Sequence, residues 1–330
     1  MATGVDPGLM QAKRLETPVA LFVFSRPDTT RRVFEAIADV RPPRLLLVAD
    51  GPRPNKTGEA EACRQVREIV SRVDWPCEVS TNFADKNLGC QERMISGFNW
   101  VFSLVEEAIL LEDDCLPDAS FFFFCEEMLT RYRNDSRIAM VSGFNAVQDH
   151  ISSNYSYYFS NFTHCWGWAT WRRSWAQFDE RLTNWPEIRS AGLLQEIFEH
   201  SDNVKHWTSI FDQTHQGAGL DAWDFQWFYA MITNHSLSVV PRVNLVENIG
   251  FGPGATHTVY RWERPAVRVG SIELPLTHPP VIVPLRSMDR IDQRVSGFQT
   301  QSIAKKIKGK LRRAISKVSH YMESRHRLTL

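Results

Sequence analysis

AILLEDDCLPD, Ala108 to Asp118, is the stretch on which the reading of the chain turns. Four apolar residues in a row, Ala108 to Leu111, fit a buried parallel strand, and they run straight into three carboxylates, Glu112, Asp113 and Asp114. Like charges packed where a buried strand ends are costly unless a cation or hydrogen-bond donors offset them, and oxygen-only ligands suit Mg²⁺ or Mn²⁺. In open α/β sheets the ligand crevice lies at the carboxyl ends of the strands. Asp114, and less directly Asp113 and Glu112, are therefore candidates for a divalent-metal site. The competing reading is an acidic loop ahead of a helix that opens near Pro117 and Asp118.

Upstream, strands and helices alternate. PVALFVFS, Pro18 to Ser25, reads as a buried first strand, and RPDTT opens a helix with Val33, Phe34 and Ile37 on one face. RLLLVADG, Arg44 to Gly51, repeats the pattern and leads into a helix carrying Val66, Ile69, Val70 and Val73. CEVSTNF, Cys77 to Phe83, is a third strand. Turn chemistry at Asn87 to Gly89 then precedes a helix with Met94, Ile95, Phe98, Val101, Phe102 and Val105 on one face. This order predicts an α/β fold with a mostly parallel sheet covered on both faces and right-handed connections. No GxGxxG follows the first strand, which weighs against the usual dinucleotide fold. Polar residues instead appear at successive strand ends: Arg26, Asp50 and the acidic triplet. Each alone reads as a turn or cap residue; together they converge on one ligand.

Downstream come an aromatic helix start, Phe121 to Phe124, and a fifth strand in RIAMVSGFN, Arg137 to Asn145. A polar segment to Thr163 precedes HCWGWATWRRSW, His164 to Trp175, whose four tryptophans serve either as core or as a sugar-stacking platform. LDAWDFQWFYAMI, Leu220 to Ile232, reads as a helix with Asp221 and Asp224 set among aromatics. SLSVVP, Ser236 to Pro241, reads as a late strand. NIGFGPGATHT, Asn248 to Thr258, is glycine-rich and carries His257, a candidate ligand for a metal or a diphosphate; the alternative is a loop with an incidental histidine.

A chain of 330 residues with 43% hydrophobic content buries a substantial core. We divide it into a leader (1–16), one domain (17–285) and a C-terminal linker and tail (286–330). A formal net charge of zero gives no sign of a nucleic-acid partner, and six cysteines without a CxxC pair fit reduced thiols in a cytosolic protein. Neither a signal-type h-region nor a run of about 18 apolar residues is present. In the tail, Ile303, Ile307, Leu311, Ala314, Ile315, Val318 and Met322 fall at helical spacing, while seven Lys and Arg crowd residues 305–317 with no interleaved acid. Such a basic amphipathic helix either packs its stripe on the domain or lies on an anionic membrane surface. We expect the second, a peripheral attachment at the inner face of the cytoplasmic membrane.

The strand ends at Ser25-Arg26, Asp50 and Glu112-Asp113-Asp114, followed by Gly-Trp-Ala-Thr-Trp and a Trp223-Asp224 step, resemble GT-A (Rossmann-like) glycosyltransferases. The likeness is to the N-acetylglucosaminyltransferase I-like enzymes and their bacterial relatives, over roughly Thr17 to His257. The resemblance implies an inverting, metal-assisted transferase that uses a nucleotide-sugar, UDP-linked by preference, and a saccharide or lipid-linked glycan acceptor. It implies that Asp114 ligates Mn²⁺ or Mg²⁺, that Glu112 and Asp113 lie beside donor sugar and ribose, and that Asp50 reads the uracil edge. It further implies that Arg26 lies near the phosphates and that Asp224 is the catalytic base. Because Phe225-Gln226-Trp227 follows Asp224 where relatives carry a second acid, Asp221 competes for that role. His257 would support the diphosphate. Two rival functions stand beside this one: a sugar-nucleotide pyrophosphorylase, against which SRPDTT lacks a Gly-rich basic loop, and a non-catalytic glycan-binding or membrane-scaffold protein.

Overall fold

The computed structural model describes residues 14–218, 221–251 and 267–295. The first half alternates β1 (Val19–Val23), α1 (Pro27–Val40), β2 (Arg44–Ala49), α2 (Glu59–Val70), β3 (Glu78–Phe83), α3 (Cys90–Leu104) and β4 (Glu107–Glu112). Every residue of β1 is buried, and so are Leu45 to Ala49 of β2. Strands covered on both faces need no polar alternation, which is why these runs are legible as continuous apolar stretches. β3 is the sheet's edge and its Glu78 and Val79 are exposed. The four strands are parallel in the order β3-β2-β1-β4, with Val19 opposite both Leu45 and Ile109. Their carboxyl ends therefore share one edge. Pro27 opens α1 where a missing N–H costs nothing, and the Thr30 hydroxyl donates to the Arg26 carbonyl at 2.7 Å.

After β5 (Cys115–Pro117), the Asp118 carboxylate accepts from the Ser120 amide at 2.9 Å and caps α4 (Ala119–Tyr132). Phe121 to Phe124 are all buried, so this helix is apolar nearly all round and lies inside the molecule. Then follow β6 (Ile138–Ser142), β7 (Tyr157–Ser160), β8 (Trp168–Trp171), α5 (Arg172–Trp175), α6 (Trp185–Ser190), α7 (Leu194–Ile197), α8 (Ser201–His215), α9 (Asp224–Thr233), β9 (Leu237–Pro241), β10 (Val246–Asn248) and α10 (Arg286–Val295). The main sheet runs β3-β2-β1-β4-β8-β6-β9-β7, with β8 and β7 antiparallel to their neighbours. The sheet is mixed but mostly parallel. A two-stranded ladder of β5 and β10 begins directly beyond the acidic triplet, pairing Asn248 with Cys115.

Several expectations change here. The polar segment before Thr163 contains β7. Of the four tryptophans in His164 to Trp175, Trp168, Trp171 and Trp175 are core residues, at most 4% exposed. Trp168 stacks on Trp223 with centroids 5.5 Å apart, and Trp175 on Phe178 at 4.3 Å. Aromatic pairs of this kind add about 0.5–1.5 kcal/mol each beyond area burial. No sugar platform is made from these three; Trp166, half-buried against Phe144 at 4.7 Å, stands apart. Residues 286–295, expected in a linker, form α10 and pack Met288 with Val147, Tyr158 and Val240. At the other end Leu15 is 1% exposed, and the Glu126 carboxylate accepts from the amides of Glu16 at 2.7 Å and Thr17 at 2.9 Å. The amphipathic stretch 302–330 lies outside the described residues. No described helix is long and apolar enough to cross a membrane.

Candidate functional site

The carboxyl edge of β1, β2 and β4 carries the charged residues. Where β1 ends, the Arg26 guanidinium reaches across to β4: Nη1 donates to Asp114 Oδ2 at 2.8 Å and Nη2 pairs with Asp113 Oδ1. The Phe24 amide donates to the other Asp113 oxygen at 3.2 Å. Burial works against the Arg26 charge, but Asp113 and Asp114 outweigh it and hold its pKa above the ordinary value. The cation that the acidic triplet demands is thus supplied in part by an arginine from the neighbouring strand. It is not enough for three carboxylates. Burial, then the charges of Asp114 and Asp113, push the Glu112 carboxyl up; burial also pushes Asp113 up, against the pull of Arg26. The two adjacent aspartates differ in access, since the Asp114 side chain is 13% exposed and that of Asp113 3%.

Beyond β10 the chain passes directly over this pair. The Ile249 amide donates to the Asp114 carbonyl at 2.8 Å, and a Cβ at Gly250 would collide with Asp114 Oδ2 and Arg26 Nη1. Glycine at 250 is required by that close approach. His257 lies outside the described residues.

Asp50, at the end of β2, is 6% exposed and turned into the chain. Its Oδ1 accepts from the amides of Gly51 at 2.8 Å and Leu88 at 3.0 Å, and its Oδ2 from Asn87 Nδ2 at 2.8 Å. The carboxylate closes the loop before α3 onto the end of β2. Burial raises its pKa against these donors and the nearby Arg93 charge. Two arginines that the sequence reading passed over sit beneath this loop. Arg93 donates to the Asn82 carbonyl at 2.6 Å, and Arg67 to the carbonyls of Ala84 at 2.6 Å and Asp50 at 3.2 Å. Their signal was present: Arg93 is a charge beside Met94 on the apolar face of α3.

The two candidate bases separate. Asp221 Oδ1 accepts from the Gln91 amide at 2.7 Å and Oδ2 from the Cys90 amide at 3.3 Å, so this carboxylate caps α3 from a distant part of the chain. Asp224 occupies the first turn of α9, and its charge bears directly on Glu112. Cys90 marks where the groups meet. Burial, then the charges of Glu112, Asp221, Asp224 and Asp50, push its thiol up to about 12. Half-buried Cys165 is raised likewise by desolvation, then by Asp224 and Glu112. Neither cysteine stood out in the sequence, since nothing local ties them to the carboxylates.

Among the described residues no group of three or more His, Cys, Asp or Glu side chains is placed to hold a metal ion. The donor chemistry still fits one: Asp114 offers a partly open, oxygen-only ligand, and Mg²⁺-type ions are commonly held by one or two carboxylates plus substrate phosphates, not by an all-protein cage.

No protein-family model matches the chain, and no curated protein sequence matches it. Among solved structures the chain is similar to the mannosyltransferase PcManGT from Pyrobaculum calidifontis in complex with GDP-Man and Mn²⁺, with 14% identity, 49% of this chain and 46% of that chain covered, and a TM-score of 0.34. It is also similar to a UDP-glucose pyrophosphorylase complexed with UDP-glucose, with 11% identity, 44% and 62% covered, and a TM-score of 0.23. The matched regions span less than two thirds of the length of either protein.

Proposed function

We propose that the chain is a nucleotide-sugar-dependent, inverting glycosyltransferase that uses a UDP-sugar, a divalent metal and a saccharide or lipid-linked glycan acceptor. The observation that carries this reading is the meeting of Arg26, Asp113 and Asp114 at the carboxyl edge of β1 and β4, with Asp224 within electrostatic reach of Glu112. A parallel-sheet edge is where α/β proteins bind nucleotides. Asp114, with the donor's phosphate oxygens, would hold Mn²⁺ or Mg²⁺, which stabilises the charge that develops on the departing diphosphate. Arg26, fixed by two carboxylates, adds positive charge on the same side. Asp113 anchors that guanidinium and so sets its direction. Asp224 removes the proton from the acceptor hydroxyl on the face opposite the leaving group, which is what inversion requires. Asp50 holds the loop that walls this edge, and Asp221 fixes the start of α3 beside it.

Donor hydrolysis and transfer, measured with UDP-, GDP- and CMP-sugars with and without Mn²⁺, test the reading. Metal-dependent release of a nucleoside diphosphate is expected. Release of a nucleoside triphosphate on adding pyrophosphate would point to the pyrophosphorylase instead, and no turnover of any donor would leave a binding protein.

A further inference from the structure

The far edge of the main sheet carries an exposed apolar row. β7 is the last strand there, and residues 277–285 run along it. The Thr277 amide donates to Ser156 Oγ at 2.8 Å, and the Leu285 amide to the Phe159 carbonyl at 2.8 Å. Ile282 packs against the core, whereas Val281 is 61%, Val283 57% and Leu285 37% exposed. With Leu274, four of the eight large apolar side chains exposed among the described residues fall between 274 and 285. Tyr155, next to the Ser156 that pairs with Thr277, is a fifth. A gathering of this kind marks a surface that meets something other than water.

The backbone of the row narrows what that is. Residues 279–284 read PPVIVP, so three of the six lack an N–H. Proline cannot extend a ladder, which disfavours a second copy pairing edge to edge. The same lack lowers the cost of entering a lipid headgroup layer, because each unpaired backbone donor would have to be desolvated.

Where the chain goes next supplies charge. α10 starts at Arg286, directly after the row, and its ten residues span about 15 Å. Residues 296–330 hold nine Lys and Arg against one acid, Glu323. The rim of the row is itself nearly balanced. It has exposed Arg131, Arg242 and Arg286 against Glu127, which pairs with His278 at 3.3 Å, Glu199, 4.0 Å from Arg286, and exposed Glu273. The domain thus offers apolar contact without net charge, and the sequence leaving it one short helix away offers a large positive excess. An anionic bilayer surface complements both.

We propose that Val281, Val283 and Leu285 are a membrane-contacting row, seated in the headgroup layer of an anionic bilayer and held there by the cations that follow α10. Attachment is then shared between the folded domain and the tail, and neither holds alone. The inference does not rest on the transferase reading, since a non-catalytic protein would carry it equally.

The test uses the full chain and vesicles of equal parts phosphatidylcholine and phosphatidylglycerol. An environment-sensitive fluorophore is placed at Val283→Cys, and for comparison at Val79→Cys, exposed on β3 at the opposite sheet edge. The native cysteines are buried or half-buried, and any labelling of them is common to both proteins. On adding vesicles, the probe at 283 is expected to shift to the blue and to be quenched by spin-labelled lipid, and the probe at 79 is not. Val281→Asp/Val283→Asp should weaken vesicle binding at least roughly tenfold while sparing donor hydrolysis. A bound chain whose 283 probe stays in water would leave the tail as the sole contact and overturn the assignment. So would an equal response at 79, no binding by the full chain, or binding unchanged in the double variant. A lipid-free dimer in sedimentation that the double variant abolishes would instead make the row an interface between copies. None of these outcomes bears on donor hydrolysis, so this reading and the transferase reading fail separately.

Discussion

Two adjacent aspartates carry different burdens. Asp113 is buried against the β1 backbone and Arg26, whereas Asp114 keeps part of its surface open at the edge. Asp114→Asn should therefore fold, yet lower metal-dependent donor hydrolysis by roughly 10³-fold or more; an unchanged rate would remove the metal role. Asp224→Asn should reduce kcat by roughly 10²–10⁴-fold with nucleotide affinity near normal, because a general base acts on the chemical step. Asp221→Ala removes a helix cap and should cost about 1 kcal/mol of stability in a urea melt. If Asp221→Ala stops turnover without moving that melt, the two roles are exchanged. The acidic triplet and Arg26 were legible because charge against an apolar run is a local contrast. The cap formed by Asp221, the engagement of both Asp50 oxygens, and the close passage of Gly250 over Asp114 were not, since each joins segments far apart in the chain.

At the scale of elements, β1, β2 and β4 and the helices between them were readable because each buries a long apolar face. β5 and β10 are three-residue strands, too short for any period to show. α10 was hidden for another reason: its inner face is polar. Asp289 accepts from Ser160 Oγ at 2.6 Å, and Asp292 pairs with His164 at 3.0 Å. Burial raises the Asp289 pKa, against the hydrogen bonds from Ser160 and Asn161 and with the nearby Asp292 charge. A carboxyl whose folded pKa is raised contributes stability that is fully present below its unfolded value, near pH 4, and is lost as pH rises through the folded value. Urea midpoints should accordingly fall between acidic and neutral pH more in the wild type than in Asp289→Asn, which keeps a neutral group throughout. Equal pH profiles for the two proteins would count against this account.

For the whole molecule, the docking of α10 decides where the chain can be cut. Truncation after residue 285 would strip Asp289 and Met288 from their partners, whereas truncation after Thr300 leaves α10 in place. Deleting residues 301–330 should release the protein from anionic vesicles and spare donor hydrolysis, with each basic residue contributing on the order of 1 kcal/mol near the surface. Co-sedimentation at low salt that matches full length would show that the tail is not the anchor. The order of strands also has a consequence for synthesis. β8 is inserted between β4 and β6, joining Ala108 to Thr170 on one side and Val141 to Ala169 on the other. A nascent chain that has emerged only to residue 150 exposes an unpaired β4 edge with an apolar row, a template for association with other chains. Ribosome-released fragments ending there should aggregate, while those extending beyond Trp171 should be more soluble, so the strand that covers the β4 edge also guards the half-made protein against its own copies.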